Sequence, residues 1–244
     1  MKALNKKNLD RKESIVYDVN KHDWVNESIN RLKDNLLYYS LDDSKKVIQF
    51  ESSVSGEAKT TTTCNLAVAL GASGKKVCIV DLDFRKPRVH RPFDLENKDG
   101  ITNYLLGQID YNTVVKKTNY ENVSVVTRGD DVQSSSFILT SEKMVNFINQ
   151  LRGDFDFVLL DCPPVLMISD YIHISHFSDG IIFNVAYGKT KKAQVKEAIS
   201  LLKNNNIPII GAVYTFYDPS ISYANNKYYG YGYDKNYYNY GDEK

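Results

Sequence analysis

Three short apolar runs constrain this chain more than anything else in it: Val47, Ile48, Gln49, Phe50; Val77 to Val80 (VCIV); and Phe157 to Leu160 (FVLL). Each is almost continuously apolar rather than alternating, and each stops at polar residues of defined chemistry. That pattern belongs to strands buried on both faces of a parallel sheet, with helices covering the two sides. The first run leads into Ser53 to Thr61 (SVSGEAKTT) and then the helix-like TTCNLAVALGA. The second leads into Asp81-Leu82-Asp83-Phe84-Arg85-Lys86-Pro87, and the third into Asp161-Cys162-Pro163-Pro164. Ligands of open parallel sheets sit at the carboxyl ends of the strands, so Lys59 and Thr60, Asp81 and Asp83, and Asp161 point at one site. One Asp after a strand is ordinary turn chemistry; three such ends together are not.

The loop between the first strand and its helix reads as a phosphate cradle. Its cofactor-binding residues are Ser55, Gly56, Glu57, Ala58, Lys59, Thr60 and Thr61, with the free amides of the helix's first turn facing nucleotide phosphates. Against G-x-x-x-x-G-K-[ST], Ser53 stands for the first glycine and Ala58 for the second, while Lys59 and Thr60 are in place. In such a cradle Lys59 is expected to neutralise the outer phosphates and the Thr60 hydroxyl to hold Mg²⁺. Ala58 is the weak point, because a Cβ there is tolerated only if the backbone stays out of left-handed space.

The remaining elements follow the same alternation. Helices are expected at Val25 to Tyr38, Ile101 to Gly107, Ser141 to Leu151 and Lys191 to Lys203. Further strands are expected at Val123 to Thr127, Gly180 to Val185 and Pro208 to Tyr214. The fold class is therefore α/β, like that of P-loop NTPases: a mostly parallel central sheet with helices on both faces and a flexible Tyr-rich C-terminal tail. The expected organisation is a loosely ordered segment over 1–24, one nucleotide-binding domain over 25–216, and the tail over 217–244. At 244 residues, with 42% apolar and 25% charged residues, the chain can bury a sizeable core. No apolar run approaches the roughly 20 residues that cross a bilayer, so a cytoplasmic protein is expected.

Charge and cysteines narrow the classes further. A net charge of +1 argues against bulk electrostatic binding of nucleic acid. Two basic clusters are local: Lys2, Lys6, Lys7, Arg11 and Lys12, read as a solvated tail or a membrane-grazing patch, and Arg85, Lys86, Arg88 and Arg91 beside the site. Cys64, Cys78 and Cys162 are odd in number and read as reduced, structural thiols. His173 and His176 lie one helical turn apart with no third ligand in view and read as surface or packing histidines.

The chain changes character at Tyr217. Between Tyr223 and Tyr240 come eight tyrosines, Tyr223, Tyr228, Tyr229, Tyr231, Tyr233, Tyr237, Tyr238 and Tyr240, interleaved with Gly, Asn and Lys. Such a segment cannot build a core. Downstream of a nucleotide site it is a natural phosphoryl acceptor, each modification adding up to about two negative charges.

This combination resembles the bacterial tyrosine kinases that regulate capsular and extracellular polysaccharide synthesis, in particular the separate cytoplasmic type of Gram-positive bacteria. The anchors are the loop with Lys59-Thr60, VDLDFRKP at Val80 to Pro87, LLDCPP at Leu159 to Pro164 and the tyrosine tail. The resemblance implies autophosphorylation of the tail with ATP and Mg²⁺. It makes Asp81 the base for the tyrosine hydroxyl, and Asp83 and Asp161 partners of Mg²⁺ alongside Thr60, so that Lys59, Asp81 and Asp83 carry the catalysis. It also implies a membrane-bound activator of the polysaccharide co-polymerase type, recruitment to the inner face of the membrane, and ring-shaped self-association through Glu27 to Asn35 with tails exchanged between neighbours. The family's loop usually has Pro, Gly and Gly where Ser55, Gly56 and Ala58 stand, and an Asn that helps hold the base where Thr215 stands. Two further readings differ in class. A noncatalytic nucleotide-binding scaffold would bind nucleotide without phosphotyrosine. A partitioning-type ATPase would carry an extra lysine where this chain has Val54.

Overall fold

The computed structural model describes residues 15–41, 45–132 and 134–217. In chain order these form α1 (Trp24–Tyr39), β1 (Val47–Ser52), α2 (Lys59–Ala72), β2 (Val77–Asp81), α3 (Ile101–Leu105), α4 (Tyr111–Val114), β3 (Lys116–Lys117), β4 (Val123–Val126), α5 (Ser135–Leu139), α6 (Glu142–Asp154), β5 (Phe157–Asp161), α7 (Asp170–Ser175), β6 (Gly180–Ala186), α8 (Lys192–Asn204) and β7 (Ile209–Thr215). The described strands make one seven-stranded sheet in the order β3-β4-β2-β5-β1-β6-β7. All neighbours are parallel except β3, which runs antiparallel to β4. The α/β class and the mostly parallel sheet expected from the apolar runs are observed.

Alternation along the strands divides the core. Ile48, Phe50, Ile79 and Leu159 pack beneath α1 and α2 through Leu36, Leu66 and Leu70. Their neighbours in sequence, Val47, Val80, Val158 and Leu160, face the other way onto Ile101, Phe147 and Ile174. The last helix, α8, closes β6 by laying Ala198 and Leu202 on Ile181 and Phe183. Burying each such side chain contributes about 1.5–3 kcal/mol, which makes these faces the main source of stability.

Local signals account for the helix starts. Asp23 accepts from the Asn26 amide at α1, and Ser141 accepts from the Met144 amide at α6, each satisfying an otherwise unpaired donor. The short elements α4, β3 and α5 were not expected, since two to five residues leave no periodic trace. Of the stretch expected to be loosely ordered, residues 1–14 lie outside the described residues. The part from Ile15 onward is tethered: Val16 and Tyr17 donate their amides to Asn65 Oδ1 at 2.7 and 2.9 Å, and Asp18 to Asn26 Oδ1 at 2.8 Å. Two buried asparagines on α1 and α2 do the holding, a signal with no sequence period. The tail tyrosines Tyr223 to Tyr240 lie outside the described residues.

Candidate active site

The phosphate loop is built by two left-handed turns. Gly56 sits at φ +87°, where a glycine costs nothing. Ala58, the residue before α2, sits at φ 60°, ψ 30°. The condition placed on it by its side chain is therefore not met: entering α2 from this loop demands left-handed backbone, at a cost of about 1–2 kcal/mol for an L-residue. The carbonyl of Ala58 is pinned by the Thr62 amide at 2.9 Å and the Thr62 hydroxyl at 3.0 Å.

Among the loop residues, Ser55 and Gly56 are exposed, Thr60 and Thr61 are half-buried, and Lys59 is buried. Thr61 anchors its turn by accepting at its carbonyl from Asn65 Nδ2 at 2.8 Å. Glu57 behaves differently from a ligand contact. Its buried carboxylate accepts from the Val54 amide at 2.8 Å, from the Ala186 amide at 3.4 Å, and from the Thr190 hydroxyl.

The strand ends then bring the polar groups together. Lys59 Nζ donates to Ser52 Oγ at 3.0 Å, and the Ser52 hydroxyl in turn donates to the Val54 carbonyl at 2.9 Å. Thr60 Oγ1 donates to Asp161 Oδ2 at 2.6 Å, a short bond of the kind a charged acceptor makes. Sheet register sets Asp161 directly beside Asp81. Asp81 is fully buried and accepts from the Arg88 and Val89 amides at 2.9 and 3.0 Å. Burial, then the nearby charges of Asp161 and Asp83, push its carboxyl well above the usual carboxylate range. Asp83 is half-buried and caps its own turn, accepting from the Arg85 and Lys86 amides at 3.2 and 2.9 Å.

Lys59, Thr60, Asp161 and Asp81 thus gather at the strand ends, and Asp83 joins them through its amide, which donates to Asp81 Oδ1 at 3.3 Å, and through its charge. Among the described residues no three His, Cys, Asp or Glu side chains form a metal cage. A Mg²⁺ site does not need one, because this ion keeps waters and takes one or two carboxylates plus substrate phosphates. Thr60 and Asp161 fit that role. The loop also offers a buried Ser53 hydroxyl with no partner among the described residues, a polar group suited to a ligand.

Several contacts around the loop were not anticipated. Glu51, on β1 beneath Lys59, is fully buried, and desolvation raises its carboxyl to about 8 against the opposing pull of Gln49 and Lys59. Thr190 and Thr215 reach the loop from the far side: Thr215 Oγ1 donates to the Glu57 carbonyl at 3.1 Å. A glutamate inside an apolar strand run and a threonine at a strand end carry no spacing rule that would reveal these contacts.

A nucleotide-binding α/β domain with a phosphate loop and acidic strand ends is the class that this geometry defines. The family model described as "AAA domain" matches residues 45–210. The chain is 32% identical over 187 residues to the tyrosine-protein kinase YwqD of Bacillus subtilis, covering 77% of this chain and 79% of that protein. It is 28% identical over 228 residues to the putative tyrosine-protein kinase CapB of Staphylococcus aureus, covering 92% and 99%. The crystal structure of the chimerical protein CapA2B2 superposes with a TM-score of 0.78 at 29% identity, covering 83% of this chain and 88% of that one. The chain belongs to the AAA domain family and, within it, to the bacterial tyrosine-protein kinases.

Proposed function

We propose that this chain is an ATP- and Mg²⁺-dependent protein tyrosine kinase whose acceptors are the tyrosines Tyr223 to Tyr240 of its own tail, and that it regulates capsular or extracellular polysaccharide synthesis. The observation that carries the reading is the Thr60 to Asp161 bond at 2.6 Å beside buried Asp81: the phosphate loop and two acidic strand ends meet at one point. Kinship to tyrosine-protein kinases supplies the acceptor, and the tail supplies tyrosines in number.

In this reading the α2 amides and Lys59 bind the β- and γ-phosphates and cancel their charge, while Thr60 and Asp161, with Asp83 nearby, hold Mg²⁺. The ion supplies charge neutralisation at the phosphates. A tail tyrosine oxygen attacks the γ-phosphorus, the bond to the bridging oxygen breaks, ADP leaves, and the phenolic proton passes to Asp81. Burial and the neighbouring Asp161 and Asp83 raise the proton affinity of Asp81, which suits it to accept the phenolic proton. Phosphoryl transfer asks for positioning and charge neutralisation more than covalent help, which this cluster can provide.

The membrane partner and the ring belong to the same reading. No described helix is long and apolar enough to cross a membrane, so recruitment to the inner membrane face is assigned to a membrane-bound activator of the co-polymerase type. The solved relative CapA2B2 is a chimerical protein, which accords with a two-component system among the relatives. Incubation with Mg²⁺ and γ-labelled ATP, with and without a candidate activator's cytoplasmic segment, tests the reading. Label on tyrosine that Lys59→Met removes, without change in the circular dichroism spectrum, is the expected result. Full labelling of Lys59→Met would contradict the site.

A further inference from the structure

The strained Ala58 needs something to hold it, and the residue before it is tied on both sides. Left-handed backbone at a non-glycine residue persists only where the surroundings over-determine it. Here the Glu57 carboxylate gathers the Val54 amide from its own loop, the Ala186 amide at the end of β6, and the Thr190 hydroxyl from the turn that follows. The Glu57 carbonyl accepts from Thr215 at the end of β7, and Thr62 grips the carbonyl of Ala58 itself. Glu57 is 2% exposed, so these are desolvated bonds, which matter most when one is lost.

We infer that Glu57 is a positioning residue: a brace that locks the phosphate loop, through Thr190 and Thr215, in the left-handed form that Ala58 resists, so that nucleotide meets a preformed cradle. The inference rests on the nucleotide site proposed above. It also joins the loop to the base of the tail. In the turn after β6, Lys189 Nζ stands 3.5 Å from the centre of the Phe216 ring, and the Tyr187 ring packs edge-on to Tyr217 with centroids 5.1 Å apart. With the brace cut, the loop relaxes out of left-handed space, and binding nucleotide must restore the strain. A glycine at position 58 has no strain to restore.

The test is Mg²⁺–ADP affinity by titration calorimetry for the full chain, Glu57→Gln, Ala58→Gly and the double variant. Gln keeps the shape but turns an amide towards one of the two donor sets. Glu57→Gln is expected to weaken Mg²⁺–ADP by about tenfold, the equivalent of ~1.4 kcal/mol of restored strain. Measured against Ala58→Gly itself, the same Glu57→Gln change should cost less than about twofold, so that glycine recovers most of the loss. Unchanged affinity in Glu57→Gln, a loss that glycine does not recover, or no binding of Mg²⁺–ADP by the unaltered chain would each overturn the brace. If Glu57→Gln does not fold, Thr190→Val and Thr215→Val, each with and without Ala58→Gly, decide by the same criteria. Binding rather than transfer is measured, so a chain with the brace intact that labels no tyrosine would refute the kinase reading alone.

Discussion

Replacing Glu51 by Gln should remove one steep pH dependence from the stability of this chain. Glu51 lies fully buried on β1, accepts from Gln49 Nε2 at 2.6 Å, and has its second oxygen buried without a partner among the described residues. Desolvation raises its carboxyl from the ordinary 4.5 to about 8. A raised pKa means the folded chain keeps a proton that the unfolded chain releases. The resulting stabilisation is full below about pH 4.5 and is lost as pH rises through about 8. The gap corresponds to at most ~5 kcal/mol. Gln matches the protonated acid in shape and has no proton to lose. Urea unfolding from pH 5 to 9, followed by far-ultraviolet circular dichroism, measures both chains; groups common to the two largely cancel in the difference. The stability of Glu51→Gln minus that of the parent should climb by several kcal/mol across this range and level off above pH 8. A difference independent of pH, or one that shrinks as pH rises, would refute the reasoning.

Three other changes have definite outcomes. Gly100→Ala would set a Cβ 2.2 Å from the Gly129 nitrogen and 2.3 Å from the Thr127 oxygen, both backbone atoms that cannot step aside; a loss of about 2–4 kcal/mol in urea unfolding is expected, and an unchanged midpoint would contradict the packing. Asp179→Ala strips the acceptor shared by the Lys46 and Val47 amides and Arg152 at 2.6–2.8 Å, and should cost about 2–3 kcal/mol by thermal denaturation. Asp81→Asn should slow transfer to tyrosine by at least ~100-fold while leaving Mg²⁺–ADP affinity nearly intact; equal loss of both would make Asp81 a binding group rather than the base.

The parts of the molecule that were legible in the sequence are those where physics leaves a local trace. Strands buried on both faces are dominated by apolar residues, so β2, β5 and the Val47, Ile48 and Phe50 part of β1 could be read from a handful of residues, and the polar residues at their ends fell where ligands of such sheets bind. Lys59, Thr60, Asp81 and Asp161 follow from that rule, and the sheet register brings them together. The features without such a trace depend on contacts distant in sequence. Glu57 meets Thr190 across 133 positions and Thr215 across 158, and no period of two or 3.6 records such a pairing. Ala58 shows the limit from the other side: its identity argued against a left-handed turn, and only the surrounding hydrogen bonds explain why the turn is there.

The fate of the γ-phosphate tests the central claim most directly. After incubation with Mg²⁺ and ATP, and with the cytoplasmic segment of the candidate membrane activator, peptide mass spectrometry of residues 217–244 and an inorganic phosphate assay are read from the same samples. A kinase built on Lys59, Thr60, Asp81 and Asp161 puts phosphate on Tyr223 to Tyr240, and Lys59→Met abolishes it. Phosphate released to water with the tyrosines unmodified in every condition would contradict that account and mark the chain as an ATPase of the same fold.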